Sequence, residues 1–211
     1  MIHFPALEIV NFIDQFHSMF DVFQAYFERN FSLSENDIAL LKSLVVPRKL
    51  RKGEFLLREG EVAKHAAFVC KGFLRSYVVD NKGKEHIIQF APENWWISEK
   101  GPATEGRPST LFIDAIEKSE VILMEFSGHQ TLMEKMPGYA AMFQKGMQKR
   151  GAAKDKRIVH SLSADAGERY NDFLATYPTI AQRIPQHMLA SYLGITPETL
   201  SRLRRKAMLK K

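Results

Sequence analysis

Residues 185–206 read PQHMLASYLGITPETLSRLRRK, and this stretch predicts two short helices joined by a tight turn. Gly194 follows the apolar stripe of the first helix, at a place where glycine adopts a left-handed backbone without steric cost. Thr196 offers a capping hydroxyl to the second helix. Pro197 fits the first position of that helix, because no amide hydrogen is needed there. The stretch therefore predicts a helix-turn-helix.

The two predicted helices have an apolar inner side and a polar outer side. Ile195 is expected to be buried in the turn, and the inner side consists of Leu189, Ala190, Leu193, Leu200, Leu203 and Ala207. The outer side of the second helix carries Glu198, Ser201, Arg202, Arg205 and Lys206. A packed stripe under a mostly basic face is what a helix needs to enter a DNA major groove. A plain helical corner would not require the small Ala190 or the basic face, so we favour DNA binding.

Positive charge is concentrated around this motif. The chain has 211 residues and a formal net charge of +6. Residues 145–211 contain 14 Lys/Arg against 5 Asp/Glu, whereas residues 1–144 have a net charge of −3. A basic surface neutralises DNA phosphates and releases their counterions. Together with the motif, this distribution predicts double-stranded DNA as a partner.

Cysteine usage and hydropathy exclude several classes of protein. Cys70 is the only cysteine, and its apolar surroundings predict a small core residue. One cysteine rules out a disulfide framework and a zinc or iron–sulfur site built from cysteines. No segment has the ~18 uninterrupted apolar residues of a membrane span, and the acidic N-terminal stretch is unlike a signal peptide. We therefore expect a cytoplasmic protein without a membrane partner.

The first part of the chain predicts helices followed by strands. Residues 5–30 have apolar side chains at helical spacing, which predicts one or two amphipathic helices packed on the protein's own core. Ser34 and Asp37 predict a capped helix that Pro47 stops. Asp80–Gly83 predicts a hairpin turn. Eight short strands, which indicate a sandwich or jelly-roll barrel, are expected at 45–50, 54–58, 66–71, 73–79, 84–91, 95–97, 110–116 and 119–126.

A helical region follows the predicted strands. A short helix over 127–136 precedes a long one from Pro137 to about Ser161, with an apolar stripe of Tyr139, Met142, Phe143, Met147 and Ile158. The long helix could pack only on its own barrel or form a seam between two copies. We favour the seam, because helix-turn-helix proteins usually bind DNA as symmetric dimers. A further helix over 164–176 is expected to support the motif.

From about residue 33 onward, the order of these elements resembles the Crp/Fnr family of bacterial transcription regulators. The run Gly-Ile-Thr-Pro-Glu-Thr-Leu-Ser-Arg at 194–202 looks most like the Bacteroidetes-type branch. The resemblance implies an α+β fold with N-terminal helices, a cyclic-nucleotide-binding-domain-like β jelly-roll barrel, a long dimerisation helix and a C-terminal winged helix-turn-helix. The implied ranges are an N-terminal extension at 1–32, a sensor barrel at 33–136, the dimerisation helix at 137–162 and the DNA-binding domain at 163–211.

The resemblance also implies which residues read DNA. Glu198 and Arg202 fall where the family's base-reading Glu and Arg lie, whereas Pro197 stands where many members have another Arg. We therefore expect an operator that differs from the best-known family consensus. The implied partners are DNA, a second copy of the chain and, as a further candidate, RNA polymerase. The expected DNA-binding residues are Gln186, Thr196, Glu198, Thr199, Ser201, Arg202, Arg205 and Lys206.

An effector pocket is implied in the polar stretch 98–109. The family's phosphate-binding cassette reads Gly-Glu, a short helix, then Arg-Ser/Thr-Ala, and its counterparts here are Ser98-Glu99 and Arg107-Pro108-Ser109. Glu99 would hold a ribose hydroxyl and Arg107 a cyclic phosphate. However, Ser98 replaces the glycine, Pro108 removes an amide donor and the spacing is short. Thus cAMP and cGMP are candidates that the sequence does not favour, and no cofactor is assigned.

A cupin-like small-molecule-binding protein or enzyme is the alternative. Such jelly-roll enzymes need two or three histidines and a glutamate at one metal, typically with a His-x-His pair. The seven histidines form no such pair, and the chain has no Gly-x-Ser-x-Gly or phosphate-loop motif. The sequence therefore favours a regulator over an enzyme.

Overall fold

The structure is a computed structural model that describes residues 6–99 and 106–208, with side chains from residue 16 to residue 206 outside the gap. Its internal contacts divide the chain into two units. The roll unit comprises Met1–Ser76 and Phe90–Gln144. The helical unit comprises Tyr77–Gln89 and Lys145–Lys211.

The secondary structure is close to the sequence prediction. Each strand begins and ends within two residues of its predicted bounds, and residues 6–28 form one helix. The strands are β1 Val45–Leu50, β2 Phe55–Leu57, β3 His65–Lys71, β4 Leu74–Val79, β5 Glu85–Ala91, β6 Trp96–Ile97, β7 Phe112–Ala115 and β8 Ser119–Glu125. The helices are α1 Ala6–Glu28, α2 Glu35–Ser43, α3 Phe126–Lys135, α4 Pro137–Ser163, α5 Ala166–Thr176, α6 Gln186–Leu193 and α7 Pro197–Met208.

Two four-stranded sheets form the roll, with strand orders β1-β8-β3-β6 and β2-β7-β4-β5. In the first sheet, β3 and β8 pair antiparallel in the centre. Successive side chains of a strand point to opposite faces. Along β3, Phe68 and Cys70 belong to one apolar cluster, whereas Ala67 and Val69 belong to another. The first sheet is therefore apolar on both faces and lies between two cores.

The apolar cluster between the first sheet and the helices packed on it is called the outer core of the roll unit. Phe20, Phe23 and Phe27 of α1 are almost fully buried, in one cluster with Phe68 and Ile122 of the first sheet. The rings of Phe23 and Phe68 are 5.2 Å apart in an edge-to-face arrangement, a geometry that aromatic pairs favour. This confirms the prediction that the N-terminal helix packs on the protein's own core.

Local signals for α2 and for the hairpin are also confirmed. The Ser34 hydroxyl accepts a hydrogen bond from the Asp37 amide, and the Asp37 carboxylate accepts one from the Ser34 amide. This capping box holds the pKa of Asp37 below its ordinary value, chiefly through the Ser34 side chain. In the turn between β4 and β5, the Asp80 amide donates to the Lys84 carbonyl at 3.0 Å.

Two sequence predictions need correction here. Pro47 does not stop α2, which ends at Ser43; it lies in β1, an edge strand, where a missing amide donor is tolerated. Residues 177–185 are turns without strands, and no strand follows residue 125 in the described chain, so the predicted wing is absent there. The described helices include none long and apolar enough to cross a membrane.

The long helix α4 does not have one uniform apolar stripe. Tyr139, Met142 and Phe143 pack in the outer core of the roll unit, so they do not belong to an exposed seam. In the helical unit, the helix instead exposes Met147 by 48%, Ile158 by 58% and Leu162 by 84%. The predicted stripe is therefore split: its first part is core and its second part is exposed.

Candidate nucleic-acid interface

The turn of the predicted motif has the expected geometry. Gly194 has φ 65° and ψ 36°, in the left-handed region, and caps the C-terminus of α6. The Ile195 amide donates to the Ala190 carbonyl at 3.0 Å. These bonds satisfy carbonyls that the helix end would otherwise leave unpaired. Ile195 itself is half-buried rather than the buried side chain that the sequence predicted.

Helix α7 begins as its sequence predicts. Pro197 is its first residue, and the Thr199 amide donates to the Thr196 hydroxyl at 3.2 Å. Such a cap satisfies one of the free amides of the first turn. The pKa of the Glu198 carboxyl lies below its ordinary value, because the carboxylate is hydrogen-bonded to its own backbone amide and, more weakly, to Thr196.

The outer face of α7 is solvent-exposed and basic. Residues three, four and seven apart share one face of a helix, which places Glu198, Ser201, Arg202 and Arg205 together. These four side chains and Lys206 are exposed, and Thr199 is half-buried. A guanidinium nitrogen of Arg202 donates to the Thr199 hydroxyl at 3.3 Å. Gln186 is also exposed, at the first position of α6.

The inner sides of α6 and α7 pack against α5. Leu189, Leu193 and Leu200 are buried, as predicted. On α5, the Arg169 guanidinium donates to the Leu193 carbonyl at 3.0 Å and to the Ala164 carbonyl at 2.6 Å. One cation therefore joins the C-terminus of α6 to the end of α4. These contacts hold α7 with its basic face outward.

The residues that the resemblance implies for the effector pocket differ in burial. Glu99 is buried, and one of its carboxylate oxygens accepts a hydrogen bond from the Thr110 hydroxyl at 3.0 Å. Its other oxygen, Oε2, is buried and has no hydrogen-bond partner in the described part of the chain. Arg107 is exposed, and Ser98 is half-buried. The middle of the predicted cassette, residues 100–105, lies outside the described residues.

Ser109 has a local structural role. Its hydroxyl donates to the Leu111 carbonyl at 2.7 Å and accepts from the Leu111 amide at 3.1 Å. Its backbone exchanges hydrogen bonds with Gly60 and Glu61. The residue therefore fastens the start of this segment to the loop before β3, which explains why it is buried.

A buried ion pair in the roll unit was missed by sequence reasoning. Arg75 of β4 and Asp114 of β7 are each 6% exposed and make two parallel hydrogen bonds of 2.8 and 2.9 Å. A charge inside the apolar strand Phe112–Ala115 was a signal that such a partner exists. Both members are needed, because a buried charge left unpaired is strongly destabilising.

Metal ligation is not a feature of the described chain. In residues 6–99 and 106–208, no group of three or more histidine, cysteine, aspartate or glutamate side chains is placed to hold a metal ion. Cys70 is buried, as predicted, and burial raises the pKa of its thiol to about 12. A ring nitrogen of His86 lies 2.8 Å from the Asp80 carboxylate, in the hairpin between β4 and β5.

Comparison with known proteins gives a consistent assignment. The family model of the cyclic nucleotide-binding domain matches residues 47–136, which include all eight strands except the first two residues of β1. The chain is 26% identical to the fumarate nitrate reduction regulatory protein of Klebsiella oxytoca over 185 residues, covering 82% of this chain and 73% of that protein. The relatives found are regulators rather than enzymes.

Solved structures share the fold. FixK2 from Bradyrhizobium japonicum superposes with a TM-score of 0.67 at 21% identity, over 79% of this chain and 86% of that one. A transcriptional regulator of the Crp/Fnr family from Eubacterium rectale superposes with a TM-score of 0.62 at 17% identity, over 84% and 85%. Together with the roll, the long helix and the helix-turn-helix of this chain, these matches support a transcription regulator of the Crp/Fnr family.

Proposed function

We propose that this regulator binds a pseudo-palindromic DNA site as a homodimer and reads it with α7. The observation that carries the proposal is the exposed, basic face of a capped helix whose opposite face is buried. A helix of this kind fits the major groove, and a symmetric dimer places two of them about one helical turn apart, roughly 34 Å.

Each residue of this face has a role that its chemistry supports. Arg202 presents a planar fork of donors that matches the two acceptors of guanine, and Glu198 accepts from the amino group of cytosine. Thr199 and Ser201 offer hydroxyls to either kind of base edge. Arg205 and Lys206 are assigned to phosphates, which set position rather than sequence.

Contacts to the DNA backbone extend beyond α7. Gln186 and Thr196 stand at the N-termini of α6 and α7. Helix N-termini present free amides and a partial positive charge, so they bind phosphate oxygens. We assign both side chains to the backbone next to the bases that α7 reads. The family's additional arginine is replaced by Pro197, so the site should contain one fewer guanine contact per half.

The exposed part of α4 supports the proposed dimer. Met147, Ile158 and Leu162 lie on one face, because eleven residues make three helical turns and four make about one. An exposed apolar row on a helix is typical of a contact with a second helix. We therefore propose that residues 137–162 contain the dimerisation helix, between a sensor barrel at 33–136 and a DNA-binding domain at 163–211, with residues 1–32 as an extension of the barrel.

Acting on DNA, such a protein would work in the cytoplasm, with RNA polymerase as a further candidate partner.

Glu99 supports a sensing role for the barrel. Among the described residues, nothing donates to the buried Glu99 Oε2, and the desolvation cost of that oxygen is one that a ligand's hydroxyl or ammonium donor would offset. The exposed position of Arg107 does not support recognition of a cyclic phosphate. We therefore propose an effector that donates a hydrogen bond to Glu99.

Selection of binding sites from random DNA tests the proposed function. We expect enrichment of a two-fold symmetric site with half-sites 10–10.5 base pairs apart, about one turn of DNA. In parallel, Leu162→Glu places a charge in the proposed seam and should convert the dimer to a monomer in analytical ultracentrifugation. Lys149→Glu, at an exposed position on the opposite face of the same helix, is the control. Failure to enrich any symmetric site would contradict the proposal.

A further inference from the structure

The hairpin of β4 and β5 is bound to the helix-turn-helix through Ser191. The hydroxyl of Ser191 on α6 donates to the Glu85 carbonyl at 2.8 Å and accepts from the Ile87 amide at 3.1 Å. Strand β5 is the outermost strand of its sheet, so backbone groups on its free edge need partners other than a neighbouring strand. A serine of α6 supplies two of these bonds.

Arg157 of α4 binds the same strand and the same helix. One terminal nitrogen of its guanidinium donates to the Ile88 carbonyl at 2.7 Å. The other donates to the Ile87 carbonyl at 3.0 Å and to the Tyr192 carbonyl at 3.1 Å. The guanidinium carbon is also 3.9 Å from the centre of the Tyr192 ring. One side chain thus contacts the hairpin and α6 from a third element.

The chemistry of this contact requires arginine. A guanidinium has a planar fork of donors and can stack on an aromatic ring while its edge donates hydrogen bonds, whereas the ammonium of lysine is a compact point charge. Three carbonyls at 2.7–3.1 Å and a ring at 3.9 Å use both properties. Arg157 and Ser191, with Tyr192 and the edge of β5, form what we call the hairpin clamp.

The clamp lies directly beside the reading helix. Ser191 and Tyr192 occupy the last turn of α6, next to the Gly194 turn that sets the direction of α7. Buried Leu189, Leu193 and Leu200 join α6 to α7. A displacement of α6 at the clamp would therefore be transmitted to α7. Arg157 itself is adjacent to Ile158 in the proposed seam.

We propose that Arg157 is a positioning residue for DNA reading: by joining α4, the β4–β5 hairpin and α6, it holds α7 at a fixed angle to the seam helix. The inference rests on the proposed function, because a fixed angle matters when two copies read one site. In the dimer it sets the separation of the two reading helices.

Three variants and a control test the proposal. Arg157→Ala removes the clamp, Arg157→Lys keeps the charge without the fork, and Ser191→Ala removes the bonds to Glu85 and Ile87. Arg150→Ala is the matched control, because it deletes an exposed arginine from the same helix two turns earlier. Two properties are measured: hydrogen exchange of the Ile87 amide, and DNA affinity for the selected site, for an isolated half-site, and for sites lengthened or shortened by one base pair.

We expect the Ile87 amide to exchange at least ~10-fold faster in all three variants and unchanged in the control, because local opening governs exchange. We expect half-site affinity to stay within about twofold, while preference for the original spacing over the altered ones falls roughly 5-fold or more as the angle is released. Lysine should not rescue either property.

Other results would overturn the proposal. Unchanged Ile87 exchange in Arg157→Ala would mean that the clamp does not hold the hairpin. Faster exchange with unchanged spacing preference would mean that the clamp is structural and does not position α7. If Arg157→Ala loses affinity even for the half-site, the Ile87 exchange rate and the spacing preference of Ser191→Ala decide whether the clamp positions α7. If no variant, control or parent binds a symmetric site, the proposed function fails, and the exchange data still report on the clamp.

Discussion

The proposed DNA-reading face and the implied effector site differ in how their residues are brought together. The residues of the proposed reading face all belong to one helix, α7, and the Thr196 hydroxyl caps the start of that helix. In the roll unit, buried Glu99 and exposed Arg107 lie at separate positions between β6 and β7. The buried ion pair of this unit is formed by other residues, Arg75 and Asp114. The proposed reading face therefore follows from the local rules of one helix, whereas an effector site in the roll depends on the placement of separate positions.

The largest expected effect concerns the buried pair of the roll. Asp114→Ala should lower the free energy of unfolding of the roll unit by about 3–5 kcal/mol, because the buried Arg75 loses the carboxylate that accepts two hydrogen bonds from its guanidinium. Both tryptophans, Trp95 and Trp96, lie in the roll unit, so their fluorescence in urea reports this loss. The change should leave half-site DNA affinity unaltered where the roll stays folded.

A matched variant separates pairing from packing. Arg75→Met combined with Asp114→Leu removes both charges and should be close to the parent in stability, or above it, since apolar replacements of buried pairs are often neutral or stabilising. If Asp114→Ala alone costs less than about 1 kcal/mol, the pair is not the buried, desolvated contact described for the roll.

An intermediate effect is expected in the reading helix. Thr196→Ala removes the cap of α7 and should reduce stability by about 1 kcal/mol. The loss should appear in the helical signal by circular dichroism and not in tryptophan fluorescence, because the helical unit contains no tryptophan. Ser201→Ala, an exposed change within the same helix, is the control and should cost nothing. Equal losses in both variants would contradict the capping role.

The smallest effect is expected at Arg107. Arg107→Ala changes an exposed side chain and should alter stability by less than about 0.5 kcal/mol. Titration calorimetry with cAMP and with cGMP should give no binding heat for the parent or the variant. Binding that depends on Arg107 would show that the cassette is functional after all, and the contrast between the two sites would disappear.

Much of the fold followed from local sequence signals. Gly194, Thr196 and Pro197 mark the turn and the start of α7, and Ser34 with Asp37 marks the start of α2. The eight strands were located from alternation and turn residues. The place of Pro47 and the lack of a wing in the described chain were not predicted. A generic helix-stop rule and the family pattern were applied where tertiary pairing decides the outcome.

The contacts that sequence reasoning missed all join distant segments. Arg157 contacts Ile88, 69 residues earlier, and Arg75 pairs with Asp114, 39 residues later. Nothing in the neighbourhood of Arg157 distinguishes it from the other basic residues of α4. The split of the α4 stripe has the same origin. Tyr139 and Met147 both fit the helical spacing of the stripe, and only tertiary packing, in which Tyr139 joins the outer core of the roll unit, distinguishes them.

The central claim, that α7 reads DNA sequence, is tested most directly by measuring the affinity of the parent and of Arg202→Ala for a complete set of single-base variants of the selected site. We predict that Arg202→Ala loses about 1–3 kcal/mol of discrimination at one position in each half-site and keeps its preferences elsewhere. An affinity profile that is unchanged at every position, or that weakens uniformly over all sequences, would contradict the claim.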